Sequence, residues 1–462
     1  MMSIKPLALL ALSRLVLGSI SIVDPSDYAD LRADASDNAI LADYTTDNGG
    51  PMYLADNITG RYIYYDTDVE FDHTTLSVNA NDTSVLLITE GSSANLSSVE
   101  IIKEGYTTWL NQASFFGVNA AVNVANASTA YIDQSNITVH NGAANIFAYG
   151  TGTTVYVTNT DLYSSGPVAH GLYAAGNATI HASNVRAYSG GNRCSSFSGD
   201  GPAGYIYVED SVAHTAGIGS AIFYALGEIH GTNVVGLAKK APVLFSDGWQ
   251  KAYFENVDLT AGLLAGTVMF SSAERRTGAV LSFTNSRLTT LTKDMPALWF
   301  GNVVAEAALV ATELKTTSGV LVVANTSQVT QAFDHFAGSE ENSSIQPAQV
   351  SISVSESDLR GDIVAYNGSS ITWNLTDYST WTGAAYTAGE GTGTFTVSLD
   401  ETSVWTLTRD VTVDEFTNGD WNNKNIRSKG HNIHYRPNRA ANAWLDSRTV
   451  TLPGGGKLRP RS

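Results

Sequence analysis

Short apolar runs recur through the middle of this chain at a nearly constant interval, each closed by an aromatic residue and a turn former. Tyr149, Tyr173, Phe197, Tyr224, Phe245, Phe270 and Phe300 end such runs and are followed within a few residues by Gly, Asn, Asp or Ser. Their spacings are 24, 24, 27, 21, 25 and 30, with Val323 in the next slot and Tyr366 resuming the column after an insertion. A second column, Ile137, Leu162, Val185, Val212, Val234, Leu259, Leu288, Leu314 and Leu359, keeps the same beat, with Asn, Ser, Thr or Asp just before most members. Two columns in step describe one coil of chain repeated, a solenoid in which each repeat buries its apolar face only against its neighbours.

Within a repeat the apolar residues alternate over a few positions, as in Val155-x-Val157, Ile206-x-Val208 and Val350-x-Ile352-x-Val354. That is the period of a half-buried strand, and no repeat carries a sustained helical period. Two or three such strands separated by Gly, Asn and Asp turns make one rung of a parallel β-helix, with rungs about 4.8 Å apart. The segments "HGLYAAGNATIHASNVRAYSGG", "GSAIFYALGEIHGTNVVGL" and "APVLFSDGWQKAYFENVDLTAG" resemble rungs of the right-handed parallel β-helix proteins of the pectin-lyase-like class, over roughly residues 80 to 415. The likeness is closer to adhesin-like secreted β-helices than to the lyases. The expected architecture is all-β: a leader over 1–21, an irregular cap over 22–80, a β-helix of about 10–13 rungs over 81–416 and a basic, partly disordered tail over 417–462.

Composition narrows the class. The net charge of -18 repels phosphate backbones, so nucleic acid is not an expected partner. Lys5, the apolar stretch Pro6 to Leu17 and the small residues Gly18, Ser19 and Ser21 have the layout of a secretory leader, too short and too broken to span a membrane. Ten Asn-x-Ser/Thr sequons agree with secretion: Asn57, Asn81, Asn95, Asn126, Asn136, Asn177, Asn325, Asn342, Asn367 and Asn374. Cys194 is the only cysteine, which excludes an intramolecular disulfide and leaves stability to a continuous stacked core. From Lys424 onward the charge inverts, with nine Lys or Arg against the single acid Asp446.

Candidate chemistry follows from register. The aromatic column is expected to stack inside the coil, the alternative being an outward strip suited to sugar rings. Asp200, Asp247 and Glu274 follow their column aromatics by two to four residues and should crowd one corner. At one or two rungs' separation, about 5 and 10 Å, they span the distances a glycosidase needs between its carboxyls. His170 is the candidate for proton transfer; Arg193, Lys240, Trp249, Tyr173 and Tyr224 are candidates for holding the substrate. Asp66, Asp68, Glu70 and Asp72 alternate in one segment and could offer one face of oxygens to calcium, the one cofactor the chain raises. The resemblance also implies a test: polygalacturonases carry an Asn-Thr-Asp, an adjacent Asp pair, a Gly-His-Gly and an Arg-Ile-Lys. Asn159-Thr160-Asp161 and His170-Gly171 are present, but no Asp-Asp or Arg-Ile-Lys occurs. The leading expectation is a secreted protein acting by surface interaction, adhesin-like or wall-associated, with glycan as partner. The alternatives are an enzyme on a polysaccharide or a small secreted metabolite in a groove over rungs 170–275, and a purely structural wall or coat protein.

Overall fold

The computed structural model describes residues 58–461 apart from 106, 108–112, 114, 141, 167, 328–342, 367 and 389–390. The leader and the sequons Asn57, Asn342 and Asn367 lie outside the described residues. The chain winds into a right-handed-type parallel β-solenoid of about 15 turns, more than the pattern implied. Three sheets run its length, with 13, 14 and 10 strands, and a further parallel sheet of four continues the third. A typical rung is Thr154–Thr158 in the second sheet, Asp161–Ser165 in the third and Ala169–Ala175 in the first.

The strands form where they do because alternation and turn chemistry agree. In Thr154–Thr158, Val155 and Val157 point inward and are fully buried while Thr154, Tyr156 and Thr158 face out. Between the second and third sheets the chain turns through one left-handed residue per rung: Gln134, Asn159, Asn184, Asp210, Asn233, Asn256 and Asn285 all have φ of 49–55°. Asn and Asp tolerate that region best among residues with a side chain. Asn184 Nδ2 donates to Asn159 Oδ1 at 2.8 Å, and Asn159 Nδ2 to Asp133 Oδ1 at 2.7 Å, so the turns are tied rung to rung. The next residues, Ser135, Ser211 and Ser286, accept from the backbone N–H of the preceding rung, at Val99, Val185 and Val257. Glycine is required where rungs touch most closely: a Cβ on Gly217 would sit 1.8 Å from the Gly191 carbonyl oxygen.

The interior is one continuous apolar column, from Leu76 to Leu458. Phe197, Phe223, Phe254 and Phe283 pack ring on ring at 4.7–5.5 Å through its middle. Trp373, Trp381 and Trp405 take over toward the C-terminal end, the last two indoles stacked at 4.7 Å and donating to the Gly361 and Gly383 carbonyls. Each such pair adds about 0.5–1.5 kcal/mol to the burial itself.

Three expectations about register and boundaries need correction. The aromatic column is not one column. Tyr173 pairs with Ser198 and then Tyr224 and Phe245, on the outer side of the first sheet, whereas Phe197 pairs with Leu172 and Phe223 on the inner side. The coil begins earlier than residue 81, since Thr59–Tyr65, Asp68–Asp72 and Thr75–Asn79 already make a rung. The basic segment beyond 416 is folded through residue 461. Val411–Val413, Ile433–Tyr435 and Lys457–Pro460 extend in parallel, and Val450–Thr451 closes the edge antiparallel, burying Ile433, Tyr435, Leu445, Leu452 and Leu458. Its cations point outward while the alternating apolar residues close the open end of the solenoid, as an exposed sheet edge demands.

Candidate functional site

Tyr173, Asp200, Tyr224 and Asp247 meet on the outer side of the first sheet, with His170 and Arg193 beside them, while the other candidates lie elsewhere. Tyr173 Oη donates to Asp200 Oδ2. The His170 ring meets the Tyr173 ring edge-on at 4.7 Å, and His170 Nδ1 lies 3.3 Å from Ser198 Oγ. Asp247 accepts from the Ser272 backbone N–H at 2.8 Å and lies near enough to Asp200 for the two charges to oppose each other. Burial pushes the Asp200 carboxyl up to about 6 and raises Asp247 as well, while burial and the neighbouring Arg193 hold His170 down at about 3.

This cluster is closed rather than open. His170, Tyr173, Arg193 and Asp200 are all buried, and connections between the third and first sheets fold over part of this face. Ala113 and Ala120 pack against Phe147 and Tyr173, and Leu263 and Leu264 pack against Phe245 and Tyr224. The expected groove lined by Arg193, Lys240, Asp247 and Glu274 is therefore not formed. Lys240, Trp249 and Glu274 are exposed, Lys240 at the end of a strand of the third sheet and the other two on connections leaving the first. Cys194 is a buried structural thiol, pushed up to about 12 by burial, which bonds the Gly166 carbonyl at 2.8 Å.

The acidic row at the start also changes. Asp66 sits in a turn at φ 46°, leaving Asp68, Glu70 and Asp72 exposed on the outer face of one strand, where alternate residues stand about 7 Å apart. Among the described residues no three or more of His, Cys, Asp and Glu converge on a common point that would hold a metal ion.

The open face is the outer side of the second sheet, and its central column is not among the residues singled out from the sequence. Tyr131, Tyr156, His181, Tyr207, His230 and Tyr253 are in direct register on six consecutive strands. Successive ring centroids are 4.8–5.2 Å apart with interplanar angles of 6–25°. Tyr131 is 48% and Tyr156 39% exposed, and the other four are half-buried. The rings lie face to face along the solenoid axis, so what they turn toward solvent is their edges: a row of phenol hydroxyls and imidazole nitrogens at rung spacing. Thr154, Thr158, Thr179 and Ser183 flank the row on neighbouring outward positions. His230 Nε2 engages Glu228 Oε1 at 2.8 Å. Burial lowers His181 and raises Tyr207, favouring the neutral form of each ring.

At the end of the row the column loses its bulk. Tyr253 pairs with Ser282, which pairs with Ala308 and then Ser353. The far face of the Tyr253 ring, away from His230, therefore looks onto small residues. Just beyond lies a shallow trough lined by Val280, Glu306, Ala308, Ser351 and Ser353. Sequence signals for this site existed: the six ring residues are spaced 25, 25, 26, 23 and 23, each at the middle of an alternating strand.

Among the described residues no helix is long and apolar enough to cross a membrane. No protein-family model matches the chain, and no curated protein or solved structure shows significant similarity to it.

Proposed function

We propose that the protein acts by surface interaction, docking a carbohydrate polymer along the outer face of its second sheet. The observation that carries this reading is the in-register row from Tyr131 to Tyr253, exposed at Tyr131 and Tyr156 and half-buried beyond. Its rings are held by one another and by the sheet, so little side-chain freedom is lost when a partner binds. Phenol hydroxyls and imidazole nitrogens offer hydrogen-bond donors and acceptors, matching the hydroxyl groups of a sugar. Repetition at rung spacing suits a repeating partner, because weak contacts made in parallel by one chain multiply. The reading takes the protein as secreted and glycosylated, adhesin-like in its mode of action. The exposed sequons Asn81, Asn95, Asn136 and Asn177 support that part of it.

A panel of polysaccharides in pull-down tests the reading. At least one polymer should be retained by the intact protein and lost by the double variant Tyr156→Ala, Tyr207→Ala; a flat response across the panel contradicts it. A catalytic reading has one observation in its favour, the raised carboxyl of Asp200 bonded to Tyr173. Reducing ends or unsaturated products in the same incubations, abolished by Asp200→Asn without loss of fold, would establish it.

A further inference from the structure

We infer that the polymer docked on this face carries free amino groups on its sugars, and that one of its units seats in the trough beyond Tyr253. This rests on the docking face proposed above and adds the chemistry of the occupant. Charge is the first argument. On the eight consecutive strands from Thr129–Asp133 to Val303–Val310, the carboxylates Asp133, Glu209, Glu228, Glu255 and Glu306 face only two cations, Lys251 and Arg276. With the chain as a whole at -18, a polyuronate is repelled from this side and a polycation is drawn to it.

The shape of the trough is the second argument. Tyr253 ends the ring row, and its far face forms a wall above the small side chains of Ser282 and Ala308. A sugar ring laid in line with the row finds an aromatic face at one end, the methyl groups of Val280 and Ala308 beneath it and the hydroxyls of Ser351 and Ser353 ahead. Glu306 is the only ionisable group lining the trough, and it is exposed at its rim. A lone carboxylate beside an apolar floor fits an ammonium group on a pyranose better than a further hydroxyl, since a charge-assisted bond is roughly twice as strong as a neutral one.

Titration of the full chain with four probes tests this: a glucosamine polymer with free amines, its N-acetylated counterpart, a neutral glucan and a polyuronate. The free-amine polymer should bind tightest and weaken several-fold between about 0.01 and 0.15 M salt, as screening shortens the reach of the carboxylates. Glu306→Gln should weaken it about fivefold, the upper range for an exposed charge pair. Tyr253→Ala should weaken it as well, and Glu100→Gln on the third sheet should leave it unchanged. Tighter, salt-insensitive binding of the neutral or N-acetylated polymer overturns the inference while leaving the docking face in place. Binding of the free-amine polymer that ignores both Glu306→Gln and Tyr253→Ala also overturns it, as attraction to net charge alone. If none of the four probes binds, the docking face itself fails.

Discussion

The outer faces of the first and second sheets are built from the same coil, yet one is sealed and the other is open. On the first sheet the connections on the third-sheet side bring Ala113, Ala120, Leu263 and Leu264 over Tyr173, Tyr224 and Phe245. On the second sheet the bordering turns are tight, and among the described residues nothing similar folds back over Tyr156 or His181. Similar side chains therefore acquire opposite roles. Tyr173 becomes a buried donor to Asp200, and Tyr156 becomes one plate in a solvent-facing stack. In a solenoid the chemistry of a position is set as much by the connections above it as by the strand that carries it.

Breaking the interior should cost the most and treat both faces alike. Phe254→Ala removes a ring packed between Phe223 and Phe283 and should lower unfolding stability by about 3–5 kcal/mol in denaturant titration. On the sealed face, Tyr173→Phe leaves the buried Asp200 carboxyl without its phenol donor and should cost about 1–3 kcal/mol in the same titration. On the open face, Tyr156→Ala forfeits two stacked contacts at the surface and should cost only about 1 kcal/mol while abolishing carbohydrate binding.

The sealed face should also leave a mark on pH dependence that the open face does not. Native Asp200 keeps its proton up to about 6, whereas an unfolded aspartate releases it near 3.8. The folded state binds more protons in that window, so this contribution to stability falls as pH rises through it. His170 works the other way: protonated near 3 when folded and near 6.5 when unfolded, it adds stability as pH rises from 3 to 6.5. The two oppose each other between about pH 4 and 6. Asp200→Asn should therefore steepen the rise of melting temperature across that window, and His170→Asn should flatten or reverse it.

Period was legible in the sequence and register was not, for a reason visible at Tyr173 and Phe197. A strand that is half-buried alternates, and Val155 and Val157 announced their inward side plainly. The first sheet is buried on both sides in Ala169–Ala175, so apart from His170 its residues are apolar or small and no alternation distinguishes Tyr173, which faces out, from Leu172, which faces in. A slip of one residue exchanges the two faces, which is how Phe197 came to share a column with Tyr173. Asp200 and Asp247 lie near enough for their charges to oppose each other, and the cover over the neighbouring Tyr173, Tyr224 and Phe245 is contributed by irregular connections whose path no periodicity records. The row on the second sheet escaped notice because Tyr and His at the centre of an alternating strand look like ordinary outward polar residues until six of them are seen in register. At the C-terminal end, the density of Lys and Arg masked the spacing of Ile433, Tyr435 and Leu458, which pair in the closing sheet.

Hydroxyl-radical footprinting of the protein with and without its bound polysaccharide tests the central claim most directly, because one experiment reads both faces. The account predicts that Tyr131 and Tyr156 are oxidised in the free protein and protected in the complex, while Tyr173 resists oxidation in both. Protection confined to the first-sheet side, or ready oxidation of Tyr173 in the free protein, would contradict it.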